Sequence, residues 1–417
     1  MSLKKSISLL KHRFHFLSLE RKRGRLMASL PAKHKIKIAF LGYALGDTCD
    51  IFSNLYYKFA ADDRFDPYMV IVPNNHGDEN EMQVLLDSAQ RFLSGRGIPF
   101  VSGYDSQTGR FVDISETINP DIVFMTHHYD WFAREFRIES FEDKIVYITP
   151  YSYFLDDNLK YNANTDAYFF AHKCFFETKD LGTLWRREAK NKKNKSSPFL
   201  GFLKIDDLLF SETAVKDVWK IADKKVKRII WAPHHLDAPL SNFLEYGDLF
   251  LELVKSRGDV QIAFRPHPGL MDSLRRVAKW TDERINAYWK QWSDLPNGFV
   301  STGEFKDLFF TSDAMILDSI SFIAEYLVTG KPSLVNDPKN KGFKFNAFAE
   351  KIKENLYRSS SWSEIKNFVD QVVVGGNDAM KSLREKLLRE NFIPPNNQTA
   401  AENVYQEICA EIFKGAD

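Results

Sequence analysis

Three stretches in the second half of the chain bring together side chains that can do chemistry. Trp231-Ala-Pro-His234-His235-Leu-Asp237 follows the apolar pair Ile229-Ile230 and turns through a proline carrying two histidines. Phe264-Arg265-Pro266-His267-Pro268-Gly269 ends a second apolar run, and its two prolines hold the backbone stiffly around an imidazole. Thr311-Ser312-Asp313 opens a third run, Ala314–Leu317, which leads through Asp318, Ser319 and Ser321 to Glu325-Tyr326. Imidazole can donate a hydrogen bond or take a proton near neutrality. Guanidinium and hydroxyl groups bind oxyanions, as do the free N–H groups of a helix start. Taken singly, each stretch has a plainer reading. A Ser or Asp before a helix is usually a cap, and a lone His at a turn is usually solvated. Together, at the ends of consecutive strands, they are expected to converge on one sheet edge as an anion site.

The spellings His127-His128-Tyr-Asp130 and His234-His235-Leu-Asp237 also raise the question of a metal. Adjacent residues on extended backbone point to opposite sides, and neither spacing matches a zinc site, so no metal and no cofactor are expected. Asp156-Asp157-Asn158 reads as a polar turn. Cys49, Cys174 and Cys409 are odd in number and far apart, which fits a reducing compartment. Cys174, within the apolar run 169–176, reads as a core thiol.

The elements that must position these groups alternate. Strands are expected at 35–43, 68–73, 97–102, 121–127 and 144–150, with helices near 49–61, 79–94, 112–118 and 130–141 between them. The polar, basic stretch 186–198 reads as a surface loop. A second series follows, with strands at 226–232, 260–266, 298–301, 313–317 and 332–335. Its helices are expected at 242–256, 270–295 and 319–330, and the end of the chain is helical near 362–374, 377–390 and 399–413. Continuous Ile/Val/Phe runs indicate strands covered on both faces. The fold class is therefore α/β, with two doubly wound, Rossmann-like domains and the ligand expected in a central cleft at the strand ends. The expected boundaries are a leader at 1–34, an N-terminal domain at 35–205, a C-terminal domain at 206–395 and a closing helix at 396–417.

Composition agrees. The 417 residues are 44% hydrophobic and 27% charged, enough for two cores and inconsistent with disorder or a disulfide scaffold. The net charge of +1 hides an asymmetry: residues 1–37 carry 11 Lys or Arg and one acid, while the other 46 basic and 55 acidic residues leave the body at −9. Such a body is not the footprint of a nucleic-acid binder. In the leader, Leu3, Ile7, Leu10, Phe14 and Leu17 form one helical stripe flanked by Lys4, Lys5, Lys11 and Arg13. That pattern is expected either to lay residues 1–30 on an anionic membrane surface or to pack on protein.

The strand–Ala-Pro turn, the Arg265-Pro-His267-Pro tip and the block Ser312-Asp…Asp318-Ser…Ser321…Glu325-Tyr-Leu…Gly330-Lys-Pro332 together resemble the CDP-glycerol glycerophosphotransferases. The likeness is specific over about 229–337 and one of layout over 35–205. It implies the two-domain GT-B architecture, in which the second domain binds the nucleotide donor. The implied reaction moves glycerol phosphate, or a similar polyol phosphate, from a CDP-linked donor to a hydroxyl of a cell-surface glycan, capsule or teichoic-type polymer. The place implied is the cytoplasm, peripheral on the inner face of the bacterial cytoplasmic membrane.

By this resemblance Arg265 and His267 are the phosphate-side pair, His267 is catalytic, and Asp318, Ser321 and Glu325 match donor-binding positions. Ser319 stands where the family has Tyr, Ile320 stands where it has Ser, and His234-His235 replace its Thr-Trp. The family's Trp-His-Gly is missing from the first domain, which leaves His127 or His128 as the expected base, oriented by Asp130. A GT-B enzyme using a nucleotide sugar, and a non-catalytic nucleotide-binding subunit, are the alternative expectations.

Overall fold

The structure, a computed structural model, describes residues 3–44, 46–75, 79–126, 132–190, 198–210, 215–238, 241–303, 305–318, 320–337 and 344–414. The chain divides into two units. Unit 1 comprises Met1–Ser152, Asn158–Asp206 and Pro394–Asp417, and unit 2 comprises Tyr153–Asp157 and Asp207–Ile393.

Unit 1 is built on strands β1 (Ile36–Tyr43), β2 (Phe65–Val72), β3 (Phe100–Ser102), β4 (Ile122–Met125), β5 (Ile145–Ile148) and β6 (Lys173–Cys174). They form one sheet in the order β3-β2-β1-β4-β5-β6, every pair parallel. β4 and β5 are buried throughout, because helices cover both faces of a parallel sheet. The N-terminal helix α1 (Leu3–Ser29) packs on this unit through its second half. Phe16 lies edge-on to Phe169 at 5.4 Å, Leu19 is buried, and the buried Arg23 donates to the carbonyls of Lys144 and Phe170. Leu17 of the expected stripe is 53% exposed. The C-terminal helix Ala400–Ile412, set apart in the sequence reading, also packs on unit 1. Asp206 takes the backbone N–H of Ala400 and of Ala401, and Lys173 meets Glu407 and Glu411.

Unit 2 repeats the plan with β7 (Lys227–Ala232), β8 (Val260–Phe264), β9 (Gly298–Val300), β10 (Ala314–Leu317), β11 (Ser333–Asn336) and β12 (Tyr357–Ser359). Its order is β9-β8-β7-β10-β11-β12, again all parallel. Both sheets therefore reverse winding between their first and fourth strands, and ligands of open α/β sheets bind at that point, outside the carboxyl ends of the strands. Helices α2 (Phe243–Ser256), α3 (Leu270–Arg276), α4 (Asp282–Asp294) and α5 (Ile320–Glu325) connect the strands of unit 2. Its core is aromatic: Trp231 stacks on Phe250 at 4.3 Å and on Phe264 at 5.0 Å, with Trp292 at 5.7 Å.

Several expected helices come out differently, three of them by breaking or stopping short. The described part of 130–141 is two 3-10 turns, Arg134–Phe136 and Ile138–Phe141, separated by an extended Arg137. Phe136 and Ile138 are both buried, and a continuous helix would have put them on opposite sides. The expected 270–295 helix breaks at Lys279, whose φ is +58°, and restarts where Thr281 caps the N–H of Arg284. The expected 319–330 helix is α-helical only over Ile320–Glu325 and finishes as a 3-10 turn at Gly330, whose φ of +68° suits a residue without a Cβ. Short strands Lys173–Cys174 and Tyr357–Ser359 extend the sheets beyond the five strands expected in each domain.

Candidate functional site

Register brings the three tips of unit 2 together. Phe264 pairs with Trp231 and Ala232 with Leu317, so the chain leaves β8, β7 and β10 at nearly the same level. The N–H of His267 then bonds to the carbonyl of Pro233 at 3.0 Å, tying the second tip to the first. The carboxylate of Asp318 crosses the switch point to accept the backbone N–H of His234 and, at 2.6 Å, that of Asn242. The 233–242 turn is closed further by Ser241 Oγ, which donates to the His234 carbonyl, and by the N–H of Leu236 on Ser273 Oγ.

The product is a cluster of three imidazoles. The rings of His234 and His267 stack with centroids 4.5 Å apart, and His235 lies 4.4 Å from the first and 4.7 Å from the second. His234 Nδ1 accepts the N–H of His235, and His267 Nδ1 accepts the N–H of Gly269, each at 3.0 Å. A neutral imidazole with an accepting Nδ1 carries its hydrogen on Nε2. Both rings are thus N–H donors. Burial, aided by His267 and His235, pushes His234 down to about 3, and burial, aided by His235, pushes His267 down to about 4. Both are uncharged at neutral pH. Burial raises Asp318 to about 7, although the N–H groups of Asn242 and His234 work in the other direction.

Nitrogens of the three histidines lie within 4.8 Å of one another, close enough to enclose a metal ion. The tautomers do not fit one. A ring that binds metal through Nε2 keeps its hydrogen on Nδ1, and here two Nδ1 atoms already face backbone N–H groups. The donor set suits an oxyanion.

Arg265 is differently employed. Val300 is the β9 partner of Phe264, which sets Ser301 beside Arg265; the guanidinium donates to Ser301 Oγ at 3.2 Å and to the Gly303 carbonyl. It sits over the rings of Phe305 and Phe322 at 5.8 and 5.7 Å, the second of them on α5, the helix that carries Ser321 in its first turn. Ser321 is half-buried, whereas Glu325 is fully buried in the unit's interior. A cavity of about 290 Å³ lies along the free edge of β9, lined by Val218, Phe299, Val300, Ser301, Thr302, Asp307 and Leu308. Ser319, His127 and His128 fall outside the described residues.

The sequence reading missed Arg276. Its Nη1 donates to Asp237 Oδ1 at 2.8 Å and its Nη2 to Oδ2, while Asp237 stands 3.4 Å from His235 Nδ1. Only the start of α3 just after His267 could have signalled it, since Arg276 lies on that helix.

No family model and no curated protein matches the chain. Solved structures do. MnaA of S. aureus with UDP aligns with a TM-score of 0.60 at 13% identity, over 92% of this chain and 98% of that one. The UDP-GlcNAc 2-epimerase of Neisseria meningitidis bound to UDP-GlcNAc aligns at 0.55 and 13%, over 91% and 100%. The wall teichoic acid polymerase TagF, soaked with CDPG, aligns at 0.52 and 11%, over the whole of both chains. The chain has the GT-B fold. At these identities the likeness settles architecture, and its neighbours are enzymes.

Proposed function

We propose that the chain is a transferase that moves glycerol phosphate, or a similar polyol phosphate, from a CDP-linked donor to a hydroxyl of a cell-surface glycan or of a teichoic- or capsule-type polymer. The reading rests on the stacked pair His234 and His267, two neutral imidazoles with Nε2 hydrogens at the switch point of the second sheet. Fixed N–H donors of this kind stabilise negative charge that develops during transfer, with no reorganisation at the moment of reaction. Phosphoryl transfer asks for little else than alignment and charge cancellation.

In this reading His267 and His234 donate to the oxygens of the diphosphate. Arg265, whose Nη1 and Nη2 each donate to the 301–303 loop, contributes mainly its positive charge. Ser321 offers a hydroxyl from the first turn of α5, and Asp318 holds the His234 tip in place. A helix of six residues has little dipole to lend, so the imidazoles carry the charge. The cavity beside β9 suits the nucleoside, because the outer side of an edge strand leaves backbone groups free to meet a base. Thermal shift against CDP-glycerol, UDP-GlcNAc and CMP-sugars tests the reading: CDP-glycerol should stabilise wild type most, and His267→Ala should abolish the effect.

A second reading, transfer or rearrangement of a UDP-linked sugar, is favoured by the UDP-bound neighbours of like fold. Stabilisation by UDP-GlcNAc alone would select it. Membrane attachment belongs to the same proposal. No helix among the described residues is long and apolar enough to cross a bilayer. The basic first half of α1, with Leu17 exposed at its margin, is the segment assigned to the inner face of the bacterial cytoplasmic membrane.

A further inference from the structure

His235 differs from its two neighbours in the partner of its Nδ1. His234 and His267 each receive a backbone N–H there, whereas His235 Nδ1 faces Asp237 Oδ2 at 3.4 Å. A carboxylate can only accept, and a lone pair on Nδ1 would face its negative charge, so this contact favours the hydrogen on Nδ1 of His235. Asp237 is itself held from the far side by the two-pronged Arg276. Arg276 in turn lies on α3, which begins three residues after His267, and its Nε meets Asp272 at 3.5 Å on the same helix. Two elements, the 233–238 turn and α3, therefore hold the Asp237 carboxylate against one edge of the ring.

We propose that Arg276 and Asp237 position His235 with its hydrogen on Nδ1 and a lone pair on Nε2, making it the proton acceptor of the site. It is the exception among three imidazoles: two donate to the diphosphate, and the third can receive. Resting on the transferase reading above, the step balances as follows. The acceptor's O–H bond breaks and its proton passes to Nε2 of His235. The hydroxyl oxygen forms a bond to the β-phosphorus of the CDP-linked donor, and the bond from that phosphorus to the bridging oxygen breaks. The electron pair leaves with CMP. The new imidazolium is compensated by Asp237, whose carboxyl is lowered by the Arg276 guanidinium beside it. Among the described residues, the titratable groups beside the ring are His234 and His267, both neutral, and Asp318 meets the backbone of His234. His235 is then the catalytic residue, and Asp237 and Arg276 act through it.

The full chain, labelled with ¹⁵N-histidine, provides the test. Two-bond ¹H–¹⁵N spectra at pH 8, assigned with single His→Gln variants, should show His235 with a pyridine-type Nε2 and His234 and His267 with a pyridine-type Nδ1. Asp237→Asn should move His235 toward the tautomer mixture of free imidazole, while Asp237→Glu should restore the wild-type pattern. One common tautomer for all three rings, or an Asp237→Asn spectrum like wild type, would overturn the assignment. CMP release from CDP-glycerol with glycerol as acceptor supplies the catalytic half. His235→Gln should lose 10²- to 10⁴-fold in kcat, the range for a removed proton acceptor. Asp237→Asn should lose about tenfold in kcat with KM little changed. Near-wild-type release by His235→Gln would remove the catalytic claim. Wild-type protein that binds CDP-glycerol but releases no CMP would overturn it also, whereas wild-type protein that does not bind CDP-glycerol would count against the transferase reading, and the spectrum alone would then decide the positioning.

Discussion

The carboxylate of Asp318 accepts the backbone N–H of His234 across the point where the second sheet reverses its winding. A residue that the family likeness places on the donor is thus buried beneath it, 3% exposed, holding the loop that presents the imidazoles. Asp318→Ala leaves the N–H groups of His234 and Asn242 unpaired in the interior, each costing about 1–3 kcal/mol. Urea denaturation should therefore show a loss of several kcal/mol, and Asp318→Asn, which retains one acceptor oxygen, should lose less. Equal stability of wild type and Asp318→Ala would remove the structural role.

His267 and His234 are expected to act at the diphosphate through N–H groups, so their effects belong to turnover rather than to folding. His267→Ala should reduce CMP release from CDP-glycerol on the order of 10²-fold, the usual cost of one charge-stabilising donor. Circular dichroism melting should change little by comparison. A variant that turns over normally would show that the phosphate sits elsewhere.

The pH dependence has two opposing parts. His234 and His267 have folded values near 3 and 4, below the unfolded ~6.5. As pH falls below ~6.5 the unfolded chain binds protons that the folded one refuses, so stability drops, by up to about 1.4 kcal/mol per pH unit for each ring. Asp318 runs the other way: with a folded value near 7 against an unfolded ~3.8, it takes up its proton first in the folded state, and stability falls as pH rises through that window. Between pH 4.5 and 6.5 the two histidines outnumber the one acid. Urea midpoints for His234→Gln/His267→Gln should accordingly lose their rise with pH over this interval, while Asp318→Asn should steepen it.

Lys331 lies one residue beyond Gly330, which ends the 3-10 turn after α5, and its Nζ donates to the carbonyls of Phe309, Phe310 and Ser312. These are the open end of the helix Lys306–Thr311 and the entry to β10. Burial pushes the amine down to about 8. Replacing it by Met keeps the stem and deletes the donors, which should cost about 2–4 kcal/mol by chemical denaturation. An unchanged midpoint would mean that water serves those carbonyls equally well.

Residues 15–29 pack on unit 1 through Phe16, Leu19 and Arg23, so removing all of residues 1–30 would damage the fold. Removing residues 1–14 alone should leave the melting temperature within a few degrees and abolish sedimentation with phosphatidylglycerol vesicles, since ~1 kcal/mol per basic residue is lost together with the apolar stripe. Vesicle binding that survives this truncation would place the attachment elsewhere.

Much of this molecule was legible in its sequence. The apolar runs Ile229–Trp231, Ile262–Phe264 and Ala314–Leu317 declared parallel strands, because a strand covered on both faces must be apolar on both. The Pro-rich tips declared where those strands stop, because proline ends a ladder by lacking an N–H. Chain order alone did not give the adjacency of β7 to both β8 and β10; sheet topology did, and it set His234 beside His267 and above Asp318. The tautomers, and with them the choice of donor or acceptor, were decided by backbone N–H groups and by Arg276, contacts that form only after α3 has folded back over the turn. Residue type states what a side chain is able to do; which of its atoms is free to do it depends on neighbours brought in from elsewhere in the chain.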